Sequence, residues 1–119
     1  MLEVWIREDG RGRPSSFFAQ GHAGWAEAGT DVVCAAVSAL LQAALLGLKE
    51  HAKVAVTSSR RSGRLELRWP ADSREREDVR AIVATTALSL ECIAAQYPKH
   101  IRIAREQEPK EKPLSAREG

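Results

Sequence analysis

A cysteine and a histidine lie close enough in the chain to form a catalytic pair. Cys34 follows His22 by twelve residues, and the segment between them is rich in glycine and alanine. A histidine beside a thiol is the smallest set of groups that makes an activated nucleophile. The spacing therefore raises the hypothesis that the Cys34 sulfur attacks a carbonyl group while His22 acts as the general base that transfers the proton.

A predicted helix supports this chemistry. Asp31 is of a type favoured as a helix N-cap, because its carboxylate can accept hydrogen bonds from the free N–H groups of the first turn. Cys34 then becomes the third residue of the helix, where the helix dipole favours a negative group and so the thiolate. Backbone N–H groups near Cys34 and the hydroxyl of Ser38 are candidate donors to an oxyanion. Asp31 could instead orient the His22 imidazole, and the sequence leaves this open.

Each of these residues also has an ordinary structural explanation. A cysteine on an apolar helix face is most often a small core residue, and a loop histidine is more often structural than catalytic. Cys92 is interpreted as a buried thiol of a second helix. No Cys-x-x-Cys or His-Glu-x-x-His motif occurs, so neither a metal nor another cofactor is predicted.

Length and composition indicate one globular domain. The chain has 119 residues, 44% hydrophobic and 29% charged, which excludes a fully disordered chain. Its net charge of +2 is too balanced to argue for nucleic acid. Two cysteines are too few for a disulfide framework, and the first residues do not read as a signal peptide. We therefore expect a cytoplasmic protein.

The most apolar run is not expected to cross a membrane. It extends from Val32 to Leu48 and is interrupted by Cys34, Ser38, Gln42 and Gly47. It is also shorter than the ~20 residues that a spanning helix needs. We interpret it as a core helix.

The first half of the chain predicts two strands and this helix. Residues 2–6 alternate apolar and polar side chains, and residues 14–21 form the returning strand after a glycine-containing turn. The apolar stripe of the helix recurs at spacings of three and four. It comprises Cys34, Val37, Leu41, Leu45 and Leu48. The helix is expected to end near Glu50 or His51.

The second half repeats the plan. Val54 and Val56 are predicted to begin a strand, residues 58–63 to form a turn, and residues 65–69 to form the partner strand. Asp72, with Glu75 three residues later, suggests a capping box for a second helix. The apolar stripe of that helix comprises Val79, Ile82, Val83, Thr86, Leu90, Ile93 and Tyr97.

These elements predict an α+β domain of two layers. Pro98 ends the second helix, and Ile101 and Ile103 suggest one last short strand. The expected architecture is a mixed sheet of about five strands with two long helices, in the order strand-strand-helix-strand-strand-helix-strand. This domain covers residues 1–105. The charged tail, residues 106–119, has almost nothing apolar to bury and is expected to be disordered.

The region around the pair resembles the signature of the ribosomal-processing cysteine protease family, Prp. Residues 21–23 read Gly-His-Ala, and residues 29–40 read Gly-Thr-Asp-Val-Val-Cys-Ala-Ala-Val-Ser-Ala-Leu. The resemblance extends over nearly the whole chain, since members of the family have about this length and the same two-helix plan. Only the tail after Arg105 is extra.

The resemblance implies a specific activity. The protein would be a cysteine endopeptidase that removes the N-terminal extension of a large-subunit ribosomal protein, the twenty-seventh of that subunit, during ribosome maturation. Cleavage would follow two phenylalanines and precede a small residue. Cys34 would be the nucleophile, His22 the general base and Gly21 a hinge of a mobile loop, with Asp31 and Ser38 beside the pair. The family is typically homodimeric, so the resemblance implies a homodimer. We expect neither a membrane nor direct contact with nucleic acid.

Three residues of the loop between His22 and the helix are further candidates. Gly24 and Gly29 would let the loop move and close over a substrate. Trp25 is a candidate wall of an apolar groove for the two phenylalanines, or it packs on the base of its own loop. The chain also contains Phe-Phe-Ala at residues 17–19, a likeness of the cleaved motif that we expect to be folded and resistant to self-cleavage.

A second function belongs to another class. Arg60, Arg61 and Arg64 form a basic tip on the second predicted hairpin, and Arg68 follows on its strand. A solvated turn is the simplest interpretation, but a non-catalytic module bound to the ribosome or its RNA could use these arginines. A protease predicts a reactive Cys34, whereas a binding module predicts a sluggish thiol and salt-dependent RNA affinity.

Overall fold

The computed structural model describes residues 1–21, 28–61 and 63–109, with only the backbone at residues 28–31. Five strands and two helices follow one another in the predicted order. They are β1 (Leu2–Glu8), β2 (Pro14–Gln20), α1 (Ala28–Leu46), β3 (Thr57–Arg61), β4 (Arg64–Arg68), α2 (Glu77–Gln96) and β5 (Ile101–Gln107). A π-helical turn, Gly47–His51, continues α1, and a 3₁₀ turn, Ala71–Ser73, precedes α2. The predicted α+β fold is confirmed.

The sheet is mixed, with the strand order β3-β4-β2-β1-β5. β1 pairs with β2 in antiparallel register and with β5 in parallel register. β2 and β4 are antiparallel, as are β3 and β4. The parallel pair requires a crossover, which α2 supplies between β4 and β5.

The core lies between the two helices and one face of this sheet. Alternate strand residues enter it, as the strand period requires. The buried strand side chains include Leu2, Val4, Ile6, Phe17, Ala19, Leu67 and Ile101. The Phe-Phe-Ala segment, residues 17–19, is buried in the central strand β2, so it is folded as expected.

The buried face of α1 differs slightly from the predicted stripe. Its buried residues are Val33, Val37, Leu41, Ala44 and Leu48. Val33 and Ala44 therefore replace Cys34 and Leu45, which lie partly buried against the rim of the core. The buried face of α1 is thus rotated relative to the predicted stripe. Cys34 is consequently placed at an edge of the core and not at its centre.

The apolar run of α1 is longer than expected. Its helical part extends over the 20 residues Val32–His51 with a mean hydropathy of 1.9, so by length and composition it could cross a membrane. The expectation that it is too short was therefore wrong. Core helices have the same properties, and residues of this run lie in the main hydrophobic core with the sheet. We retain the interpretation as a core helix for that reason.

The second hairpin begins later than predicted. Val54 is buried, but its N–H donates to the carbonyl of Leu48, so residues 54–56 follow the end of the helix and do not join the sheet. β3 instead comprises residues 57–61, most of which were predicted to be a turn. Its residues are all exposed. An edge strand that is exposed to solvent on both faces needs no alternation of apolar and polar residues. The sequence of residues 57–61 therefore did not predict a strand.

The start of α2 also differs from the prediction. Asp72 lies in the 3₁₀ turn, and the helix begins five residues later at Glu77, with Arg76 as an N-cap that makes no side-chain cap bond. The intervening Arg74 is buried. Its guanidinium donates to the carbonyl of Trp69 and forms an ion pair with Asp9 at 2.9 Å. This long-range contact sets the path of the chain before α2.

Asp9 is held in its charged form. Burial would raise the pKa of Asp9, but backbone N–H groups of Arg13 and Arg11 and the guanidinium groups of Arg74 and Arg13 donate to its carboxylate. The hydrogen bonds prevail, and the pKa lies well below its usual value of 3.8. A carboxyl group with a lowered folded-state pKa stabilises the fold above its unfolded pKa, and this contribution is lost on acidification.

Ordered structure continues past the expected domain boundary at residue 105. β5 extends to Gln107, and the carboxylate of Glu108 accepts hydrogen bonds from Ser15 and Arg68. Burial would raise the pKa of Glu108, but these donors lower it overall. Residues 110–119 of the predicted tail lie outside the described residues.

We predict that Asp9→Asn lowers the free energy of unfolding by about 3 kcal/mol near neutral pH, because it leaves the buried Arg74 charge without its carboxylate. Urea titration measures this loss. The wild type should lose stability as the pH falls below about 4, and the variant should lose less over the same range. Asp72→Asn, at an exposed position of the 3₁₀ turn, is the control and should change stability by less than about 0.5 kcal/mol. Equal effects of the two substitutions would contradict the prediction.

Candidate active site

Cys34 lies on the second turn of α1. The helix begins at Ala28, three residues before Asp31, so Asp31 is inside the helix and the expected N-cap is wrong. Cys34 is the seventh helical residue, not the third. The free N–H groups of a helix belong to its first turn, and the backbone amides near Cys34 are therefore engaged within the helix. They are not available as the oxyanion donors that the sequence suggested.

A cavity of about 190 Å³ opens beside the Cys34 side chain. It lies between α1 and the tip of the β3–β4 hairpin, next to the end of β2. The residues that line it are Leu2, Ala19, Gly21, Cys34, Val37, Ser38, Leu41, Arg60, Arg61, Gly63, Arg64 and Leu65. The thiol is thus only partly buried and faces a space with an apolar floor and a basic side.

Ser38 connects the helix to the hairpin. It follows Cys34 by one helical turn, a spacing that places two side chains next to each other. Its Oγ accepts a hydrogen bond from Nη2 of Arg60 at 3.2 Å and another from Nε2 of Gln42 at 3.1 Å. Both contacts use the oxygen as an acceptor, so the hydroxyl hydrogen is engaged in neither.

Gly21 joins the site to the segment that carries His22. Its N–H donates to the carbonyl of Gly63 at the hairpin tip, at 3.0 Å. Gly21 has φ = 124° and Gly63 has φ = 73°, values that L side chains rarely adopt. The two glycines allow β2 to end against the hairpin.

Several predicted site residues lie outside the described residues. These are His22, Gly24 and Trp25. Gly29 and Asp31 belong to the backbone of α1, but the Asp31 side chain is not described. The structure therefore brings together Cys34, Ser38 and Gly21 of the predicted set.

The other free cysteine lies away from this cavity. Cys92 is exposed on α2, and its interpretation as a buried thiol was wrong. Larger cavities occur elsewhere, such as one of about 340 Å³ between α2 and the chain around Trp69. That cavity contains no cysteine, histidine or serine. Within residues 1–21, 28–61 and 63–109, no cluster of three or more potential metal ligands occurs.

The chain matches a known family over most of its length. Residues 1–102 match the model of the cysteine protease Prp. The chain belongs to the Prp cysteine protease family. The enzyme class predicted from Cys34 and His22 is therefore confirmed, and the non-catalytic alternative is not needed to explain the domain.

Solved structures of similar proteins show the same fold. A Streptococcus mutans protein is 23% identical, with a TM-score of 0.76 over 91% of this chain and 96% of its own. The essential ribosomal processing protease Prp of S. aureus with a substrate peptide is 23% identical, with a TM-score of 0.78 over 88% of this chain and 99% of its own. Its complex with a covalently linked product peptide is 24% identical, with a TM-score of 0.76 over the same shares. Among curated proteins, none matches this sequence significantly.

Sequence reasoning missed the position of the basic hairpin. Arg60, Arg61 and Arg64 were interpreted as a solvated tip or as a contact for RNA. All three are exposed, as a solvated tip requires, and they also border the Cys34 cavity. A signal was present, because three arginines within five residues are more than a turn requires. Their distance from Cys34 in the chain hid the connection.

We predict that Gly21→Ala lowers the free energy of unfolding by about 2 kcal/mol, the scale of a non-glycine residue held in a strained backbone region. An ideal Cβ on Gly21 would lie 2.5 Å from the carbonyl oxygen of Met1. Gly10→Ala is the matched control, since nothing lies within 4 Å of its ideal Cβ. Chemical denaturation of both variants tests this, and similar stabilities for the two would refute the strain at Gly21.

Proposed function

We propose that this protein removes the N-terminal extension of the twenty-seventh protein of the large ribosomal subunit. Cys34 would be the nucleophile and His22 the general base. The observation that carries the proposal is the partly buried Cys34 thiol beside an open cavity, in a chain that matches the Prp cysteine protease family over residues 1–102.

The relatives support the choice of substrate. The similar S. aureus protein is described as a ribosomal processing protease, and its structures contain a substrate peptide and a covalently linked product peptide. A covalent product is what attack by a cysteine on a peptide carbonyl would leave on the enzyme. The Gly-His-Ala and Asp-Val-Val-Cys-Ala-Ala-Val-Ser segments carry the same inference to this chain.

The proposed reaction has two steps. His22 takes the proton of the Cys34 thiol, and the sulfur attacks the scissile carbonyl carbon. The protonated His22 then gives this proton to the leaving amine as the C–N bond breaks. The N-terminal part of the substrate then remains on Cys34 as a thioester. Water, losing a proton to His22, attacks this thioester and releases the product acid and the free thiol.

Ser38 is our candidate donor to the oxyanion of both steps. The oxygen atom of Ser38 accepts from Arg60 and Gln42, which fixes its position and leaves the hydroxyl hydrogen to donate. A fixed donor near the developing charge lowers the barrier more than a mobile one. This role replaces the backbone amides near Cys34, which are used within α1.

The floor of the cavity suits an aromatic side chain of the substrate. Leu2, Val37, Leu41 and Leu65 supply apolar surface beside the thiol. A phenylalanine before the scissile bond would be brought out of water against these residues. Trp25 remains a candidate further wall of the groove.

We also propose that the protein is cytoplasmic and homodimeric. Both cysteines are free thiols, as expected in a reducing compartment. For the dimer, α1 offers an exposed stripe opposite its buried face. The stripe comprises Val32, Ala39, Ala43 and Leu46, with Val32 58% and Leu46 59% exposed. Exposed apolar side chains grouped in this way are typical of an interaction surface.

We predict that the purified protein cuts a peptide spanning the N-terminus of the host ribosomal protein after its two phenylalanines. Cys34→Ala should abolish cleavage, because the nucleophile is removed. His22→Ala should lower kcat by about 10²–10⁴-fold, the usual contribution of general acid–base catalysis. Mass spectrometry of the products locates the cut.

Cys92→Ala is the matched control and should retain wild-type rates, because Cys92 is exposed on α2 and outside the cavity. Cleavage that survives Cys34→Ala would reject Cys34 as the nucleophile. An intact thiol without any cleavage of this peptide would reject the proposed substrate.

We predict that Leu46→Glu converts the dimer into a monomer, since it places a charge in the exposed apolar stripe of α1. Leu88→Glu, which changes a 62% exposed leucine of α2, should leave the dimer intact. Sedimentation velocity measures both. A dimer disrupted by the α2 substitution and preserved by the α1 substitution would refute the assignment of the stripe.

A further inference from the structure

A second cavity lies at the end of the sheet that is remote from Cys34. It has a volume of about 340 Å³ and opens between α2 and the chain around Trp69. Pro14, the first residue of β2, lines it, whereas Gly21, just past the end of β2, lines the Cys34 cavity. Because a strand advances ~3.3 Å per residue, the length of β2 separates the two cavities by about 20 Å. We name the remote one the α2 cavity.

The floor of the α2 cavity is apolar. Trp69, Val79, Val83 and Ala87 line it and are each at most 4% exposed. Leu88, which is 62% exposed, lies at its rim. A molecule that covers these side chains removes apolar surface from water, which is favourable. The volume is near the lower end of the range of about 300–1,000 Å³ that is typical of small-molecule sites.

Three guanidinium groups border this floor, those of Arg74, Arg80 and Arg105. Arg74 is buried. Its Nε and Nη2 donate to the carbonyl of Trp69, and its Nη1 donates to the carboxylate of Asp9. These bonds use three of the five N–H donors of a guanidinium group, and the other two have no acceptor in the described part of the chain. A buried N–H without an acceptor is unfavourable, so an oxygen atom of a ligand would be stabilised there.

The other two arginines leave positive charge at the rim. Among the residues that the structure describes, Arg80 forms no ion pair. Arg105 is 46% exposed, and its guanidinium nitrogens lie 3.9 Å from a carboxylate oxygen of Glu8 and 3.4 Å from one of Glu91. Exposed pairs of this kind contribute little. An anion at the rim would therefore be attracted by both arginines.

We infer that the α2 cavity binds a small amphipathic carboxylate, an acid with an alkyl or aromatic body. The body would lie on the apolar floor. The carboxylate would accept hydrogen bonds from Arg74, and Arg80 and Arg105 would supply further positive charge. This site is separate from Cys34, and its occupancy does not depend on the proposed protease activity.

The lining favours a small molecule over a peptide. Much of it belongs to α2, whose backbone N–H and C=O groups are bonded within the helix. Pro14 has no N–H, and its carbonyl already accepts a hydrogen bond from Nε1 of Trp69 at 3.0 Å. A peptide laid in this cavity would lose water from its own backbone groups without finding partners for them. An alkyl or aromatic body has no such groups to satisfy.

A set of ligands with one alkyl chain and different head groups tests the inference. Octanoate, octanol and octyltrimethylammonium are titrated into the ¹⁵N-labelled protein, with acetate as the head group alone. The indole N–H resonance of Trp69 reports on the cavity, and that of Trp5, which does not line it, is the internal control. Octanoate should shift the Trp69 resonance with a Kd of about 1 mM or lower. Octanol should bind about tenfold more weakly, the size of one hydrogen bond to a charged group, and the other two should not bind.

Substitutions at exposed positions separate the two parts of the site. The double variant Arg80→Met/Arg105→Met should weaken octanoate binding about tenfold and leave octanol binding unchanged, because only the charge is removed. Arg102→Met, at an exposed arginine of β5 outside the cavity, is the matched control and should change neither. Ala84→Phe, at an exposed position of the lining, fills part of the space and should weaken both ligands.

Other outcomes overturn the inference. No response of the Trp69 resonance to octanoate would refute the site. Equal Kd values for octanoate and octanol, unchanged in the double arginine variant, would refute the carboxylate preference. Equal shifts at Trp5 and Trp69 that Ala84→Phe does not reduce would refute the location. If octanoate does not bind and Leu88→Glu dissociates the dimer, the cavity is assigned to a second copy of the chain. Circular dichroism of each variant confirms that it is folded.

Discussion

Packing of one face of α1 in the core determines where the Cys34 thiol lies. Val33, Val37 and Leu41 bring that face into the core, and their burial removes a large apolar area from water. The rotation of the helix is thereby fixed, so that Cys34 falls at the edge of the buried face and borders the cavity. Had Cys34 occupied the centre of the stripe, it would be an inert core thiol.

The hairpin is the second half of the site, and its position depends on the sheet. β4 pairs with the central strand β2, and β3 pairs with β4 at the edge. This pairing brings the hairpin tip to the end of β2, where Gly21 and Gly63 share a backbone hydrogen bond. The same geometry holds Arg60 against Ser38. The candidate site therefore depends on this register.

A buried ion pair positions parts of the chain far from this site. Asp9 in the β1–β2 turn and Arg74 before α2 meet at 2.9 Å, and Arg74 also donates to the carbonyl of Trp69. Taking two charges out of water offsets much of their attraction. The main effect of the pair is thus on the path of the chain. The chain around Arg74 is held by these contacts, and α2 begins only at Glu77.

Patterns of apolar and polar residues predicted the elements that bury one face in the core. Alternation in β1 and the apolar spacing of α2 correspond to the observed strand and helix. Apolar alternation did not predict β3, because all of its residues are exposed to solvent. The capping motif at Asp72 did not predict the start of α2, because the contacts of Arg74 hold the chain there in another conformation. The predicted start of α1 was also wrong, because a good capping residue at Asp31 need not be used as a cap.

The amino-acid sequence by itself determined the order of the elements, the cysteine and histidine of the pair and the family signature around them. These follow from residue types at short spacings, which are recognised from local conformational preferences and from comparison with known motifs. Only the tertiary structure decided that Arg60, 22 residues from Ser38 in the chain, contacts it beside Cys34. That contact depends on how α1 packs and on which strands pair, and both result from the summed burial of residues throughout the chain.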